Sequence, residues 1–84
     1  MADLKGLIEA VARALADQPD AVSVRESERR GATVYELQVA SGDLGRVIGR
    51  QGRTAAALRT LLSSAAEADD KRVSLDIRDQ TGRS

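Results

Sequence analysis

Leu4, Leu7, Ile8, Val11 and Leu15 repeat at helical spacing, which predicts an amphipathic helix over roughly residues 3–17. Asp3 is placed to cap it, Gly6 weakens its first turn, and Pro19 marks its end. The period then changes to two. Val22 and Val24 alternate with Ser23 and Arg25, and Thr33, Tyr35, Leu37 and Val39 alternate with Val34, Glu36 and Gln38. The charged, glycine-containing stretch Glu26–Gly31 between them predicts a connector, and the two runs predict an antiparallel hairpin. Ser41-Gly42-Asp43 breaks the pattern and predicts a helix start. A short helical piece, Leu44–Ile48, is interrupted by Gly49-Arg50-Gln51-Gly52. A longer helix follows from Arg53 to about Ala68, with Ala55, Leu58, Leu61, Leu62 and Ala65 on one face. The acids Glu67, Asp69 and Asp70 gather around its end, where negative charge disfavours helix, so some of them are expected beyond it. Val73, Leu75 and Ile77 alternate with polar residues and predict a third strand; residues 79–84 read as a loose tail.

The predicted order is α-β-β-α-α-β. A helical crossover between the second and third strands makes them parallel and right-handed if they share a sheet. With the hairpin this gives an α+β, two-layer domain: a three-stranded mixed sheet with helices on one face.

Composition narrows the chemistry. The 84 residues suggest one domain. There is no cysteine and no histidine, so disulfides, thiolate metal sites and the commonest general base are excluded. Ser63-Ser64, Lys5 and Lys71 have no paired base or activating setting, which argues against an enzyme. No apolar run approaches the roughly 20 residues that span a bilayer, and no secretory pattern opens the chain, so a cytoplasmic location is expected. Tyr35 is the only aromatic residue, so stacking on an aromatic platform is not a plausible main binding mode.

The net charge is zero, but the charges are segregated. Residues 44–66 hold Arg46, Arg50, Arg53 and Arg59 and no acid, whereas the remainder carries 9 basic and 13 acidic residues. A neutral chain can thus present a positive patch to a polyanion.

That patch surrounds the glycine break. A Walker A loop does not fit, because its first glycine would fall at Val47 and Arg53 stands in place of lysine. A dinucleotide fingerprint does not fit either, since Gly45, Gly49 and Gly52 have the wrong spacing. A tight helix–loop–helix turn fits better. Glycines at 49 and 52 let a backbone approach closely, and the following helix offers amides of partial positive charge. Arg50 and Arg53 add charge-assisted contacts to phosphate, and Val47-Ile48 offer an apolar wall to a base.

Val47-Ile48-Gly49-Arg50-Gln51-Gly52-Arg53 resembles the Val-Ile-Gly-x-x-Gly signature of KH domains, and the element order matches their bacterial, type II arrangement. The resemblance covers about residues 3–78. The run Gly45–Ala55 is similar to that of small bacterial single-KH-domain RNA-binding proteins of the KhpA type. It implies a single type II KH domain over residues 1–84, with three helices on one sheet face. It implies that Gly49, Arg50, Gln51 and Gly52 clamp an RNA backbone. Gly45, Arg46, Val47 and Ile48 would form one helical side of the groove, and Arg53, Thr54 and Arg59 would extend the phosphate-facing side. The strand of Leu37 and Val39 would close the groove, although both residues read equally well as core. Single-stranded RNA is the implied partner, with no cofactor and no membrane. A homodimer or a complex with a second KH-containing RNA-binding protein is implied too, as is a role as RNA chaperone or post-transcriptional regulator. Ala55 and Ala56 depart from the pattern, which usually has a larger aliphatic residue at the first position; a basic residue at the second would strengthen the patch. A protein-interaction domain with an idle groove is the competing expectation.

Overall fold

The computed structural model describes residues 3–68 and 71–79. Helix α1 (Leu4–Leu15) is followed by a 3-10 turn (Pro19–Ala21), strands β1 (Ser23–Arg29) and β2 (Ala32–Val39), helix α2 (Leu44–Ile48), a second 3-10 turn (Arg50–Gly52), helix α3 (Arg53–Ala68) and strand β3 (Arg72–Asp79). The sheet order is β1-β2-β3, with β1 antiparallel and β3 parallel to β2. The expected α-β-β-α-α-β order and mixed sheet are both present.

The pleat sorts the sheet into two faces. Tyr35, Leu37, Val39, Leu75 and Ile77 point to one side and are buried with Ile8, Ala12, Val47, Leu58 and Leu62 of the helices. Partners across the ladder share a face. Ser23, Gln38 and Arg78 therefore lie together on the other side, as do Arg29, Ala32 and Arg72. All three helices contribute to the one core, so they share the inner face.

Several expectations are corrected. The charged stretch after Arg25 is strand, not connector: β1 runs to Arg29 and the turn is only Arg30-Gly31. Both turn residues have positive φ (51° and 79°), as a two-residue type I′ hairpin requires. Ladder pairing with β2 overrides the low strand propensity of the glutamates. In α1 the buried positions are Ile8 and Ala12, while Leu7 and Leu15 lie at the margin of the stripe and stay partly exposed. In α3 the buried set is Ala55, Leu58, Leu62 and Ala66, and Leu61 turns outward at 56% exposure. Asp79 belongs to β3 and is buried, whereas Asp69, Asp70 and residues 80–84 of the expected tail lie outside the described residues.

Pro19 does not stop α1 either. The helix ends at Leu15, Ala16 turns extended, and Pro19 opens the first 3-10 turn. Asp3 does cap α1, accepting a hydrogen bond from the Gly6 amide at 3.1 Å.

Candidate nucleic-acid interface

The interface is built around the break between α2 and α3. Val47 is fully buried and fastens α2 to the sheet, so of the Val47-Ile48 pair only Ile48 reaches the surface groove. Helix α2 then closes on the Gly49 amide, which donates to the Gly45 carbonyl at 3.0 Å. Gly49 adopts φ 83° and ψ 168°, a conformation open to glycine and strained for any other residue. A Cβ there would also fall onto the Thr54 side chain and press against the Thr54 backbone nitrogen at 3.1 Å. Gln51 is left-handed (φ 57°, ψ 25°), and Gly52 follows at φ 71° with its amide donating to the Gly49 carbonyl at 3.0 Å. These turns compress the loop between the end of α2 and the start of α3.

Charge converges on the same place. The first turn of α3 has no acidic residue, so its positive dipole end is not offset locally. Arg50 and Gln51 are exposed at the tip, and Arg50 has no hydrogen-bond or ion-pair partner among the described residues. Arg53 is held over the loop by a hydrogen bond to Gln51 Oε1 at 3.3 Å. Arg46 is largely exposed, with a loose 3.8 Å contact to Asp43.

Ile48, Gly52, Ala55, Arg59, Asp76 and Ile77 line a groove of about 270 Å³ beside the loop. It is too small and open to enclose a drug-sized ligand, but its apolar residues Ile48, Ala55 and Ile77 suit a base, and its charged lining is Arg59 and Asp76. Two further depressions continue it along the α3–β3 seam. The first shares Arg59 with the groove, and the second, reaching Lys71 and Arg72, shares Ser63 and Val73 with the first. Arg59 spans the seam, donating through Nε and Nη2 to the Leu75 carbonyl at 3.3 and 3.2 Å.

The wall opposite the helices is therefore β3, not the strand of Leu37 and Val39, both of which are fully buried. The crossover explains this. It carries α2 and α3 over the β2–β3 pair, and β3 is the outer strand, so the seam open to solvent runs beside it. Asp76 and Ile77 line the groove but were left out by pattern reading; the parallel crossover was the signal that could have located them. Of the other expected residues, Gly45 and Arg46 lie on exposed α2 surface, and Thr54 packs under Gly49. No group of three His, Cys, Asp or Glu side chains able to hold a metal ion occurs among the described residues, and no helix there is long and apolar enough to cross a membrane.

Comparison with known proteins bears on the family and the fold. The RNA-binding protein KhpA of Treponema pallidum is 51% identical over 73 residues, covering 87% of this chain and 91% of that protein. Its counterparts in Caldanaerobacter subterraneus and Halalkalibacterium halodurans are 48% and 47% identical, over 84% and 90% of this chain and 95% and 100% of theirs. Among solved structures, Era in complex with MgGDPNP and a segment of 16S ribosomal RNA superposes with a TM-score of 0.59 at 16% identity, over 90% of this chain and 29% of Era, which supports the fold alone. The fold is that of a type II KH domain. Residues 5–77 match the KhpA/KhpB KH-domain family, and the chain belongs to it.

Proposed function

We propose that this protein is a non-catalytic, cytoplasmic RNA-binding module, working as one KH unit, that clamps short single-stranded RNA with the Gly49–Gly52 loop. The observation that carries the reading is the coincidence of a glycine-dictated loop, an acid-free helix start, and the groove flanked by Ile48 and Arg59. The relatives' names as RNA-binding proteins support it. About four nucleotides fit such a clamp. With roughly three or four phosphates engaged, log K falls with log salt at a slope of about −2 to −3.

A small groove gains affinity when two are joined, because linked sites raise effective concentration. Pairing with a second copy or with another KH-containing RNA-binding protein is part of the proposal, and the exposed Leu61 offers apolar surface for it. The cellular role that fits is RNA chaperone or post-transcriptional regulator.

The deciding experiment replaces Arg50 and Gln51 with aspartate and measures single-stranded RNA binding, with circular dichroism to verify the fold. The expected result is a folded protein with at least tenfold weaker binding. A folded double variant that binds as the parent does removes the clamp from consideration.

A further inference from the structure

The outer face of the sheet is not used by the clamp. Its upper half is electrically balanced: Arg25, Glu36 and Asp76 form one cross-strand row, and Arg78 pairs with Asp76 at 2.9 Å. Its lower half is not. The row Ser27, Val34, Ser74 and the row Arg29, Ala32, Arg72 contain no acid. Arg30 stands beside them in the hairpin turn. Arg29, Arg30 and Arg72 are exposed, and none has a hydrogen-bond or ion-pair partner among the described residues.

We propose that Arg29, Arg30 and Arg72 form a second phosphate-binding patch, which takes RNA as it leaves the groove and turns around the β3 edge. Two observations choose this occupant. The first is continuity: the α3–β3 seam ends at Lys71 and Arg72, and Arg72 belongs to both the seam and the outer row. The second is charge. Three guanidiniums without a partner among the described residues flank the small side chain of Ala32, and with strands about 4.8 Å apart Arg29 and Arg72 stand roughly 10 Å from each other. This spacing lets both reach one sugar-phosphate chain. Val34 is the only larger apolar residue in those two rows, and a protein interface would need a buried aromatic or aliphatic anchor. The inference rests on the groove being an RNA site, and it lengthens the footprint beyond the four nucleotides of the clamp.

The test compares oligouridylates of about four and about twelve nucleotides, the first matching the clamp and the second long enough to pass it. Arg29, Arg30 and Arg72 are changed together to glutamine in the full chain, with circular dichroism as the fold check. The patch is roughly 17 Å from the clamp along β3, beyond the Debye length of about 8 Å at physiological salt, so its loss should not be felt there. The expected result is about tenfold weaker binding of the longer RNA, with its salt slope reduced by about 2 and binding of the shorter RNA unchanged. Equal loss for both lengths, or no loss for either, overturns the patch; the second result would leave the face to a protein partner. An unmodified chain that binds neither length defeats the clamp reading itself. A triple variant that does not fold is replaced by the single changes Arg29→Gln and Arg72→Gln, each expected to lower the longer RNA's salt slope by about 0.7.

Discussion

The carboxylate of Asp43 accepts the backbone amide of Gln18 at 2.9 Å, and through its other oxygen the amide of Asp17 at 3.1 Å. Asp43 is 1% exposed and precedes α2, yet its side chain does not cap α2. It binds the chain leaving α1 and so fixes the helix that leads into the clamp. Asp43→Asn would keep the shape but replace one acceptor with a donor facing an N–H group. The expected loss is about 2 kcal/mol in urea unfolding, with faster hydrogen exchange at the Gln18 amide. Unchanged exchange there would mean that the contact is not made in solution.

The three glycines of the break should respond differently to alanine. At Gly49 both the conformation and the Thr54 contact oppose a side chain, so Gly49→Ala is expected to cost about 3 kcal/mol. At Gly52 there is open space, and only the positive φ resists, which sets the cost at about 1 kcal/mol. Gly45 lies within α2 with nothing in the way, and Gly45→Ala should stabilise by about 0.5 kcal/mol. Chemical unfolding of the three variants gives the order. An equal effect at positions 45 and 49 would contradict the loop geometry.

Arg59 belongs to the groove through its shape as well as its charge. Both of its contacts go to one carbonyl of β3, a geometry that the planar guanidinium holds and a lysine does not. Arg59→Lys keeps the charge, so the salt slope of RNA binding should change by less than about 0.5 while affinity falls about threefold. Arg59→Leu should lower affinity further and reduce the slope by about 0.7. Indistinguishable behaviour of the two variants would reduce Arg59 to a point charge.

How far the sequence predicts this site differs from residue to residue. The glycine break, the arginines around it and the parallel crossover are local signals, and each survives in the structure. The first half of β1 was legible from Val22 and Val24, but its second half was hidden because Glu26-Ser27-Glu28-Arg29 has no inward apolar residue; pairing with β2 alone makes it strand. The end of α1 was hidden for a different reason. The Asp17 and Gln18 amides just beyond it are held by Asp43, 26 and 25 positions further on, and a window along the chain sees only Pro19. The division of Val47 from Ile48 likewise depends on which face of a five-residue helix meets the sheet, and two adjacent aliphatics carry no sign of it.

Tyr35 links the lower end of the sheet to alkaline pH. It is the only aromatic residue, it is 6% exposed, and it faces Glu26 across the β1–β2 ladder. Burial, and then the negative charges of Glu26 and Asp3, push its hydroxyl above the ordinary value of 10.0. The folded state therefore holds this proton more tightly than the unfolded chain does. The associated stability is fully present below pH 10.0 and is lost as pH rises through the higher folded value. The informative quantity is the difference between the parent and Tyr35→Phe, which isolates the contribution of this one proton. Below pH 9 the two unfolding midpoints should run parallel, and above pH 10.0 the parent should fall away from the variant. Tyrosinate absorbance, which here comes from a single residue, reports the same titration directly and should appear above pH 10.0. Parallel midpoints throughout the alkaline range would place Tyr35 in water and away from Glu26.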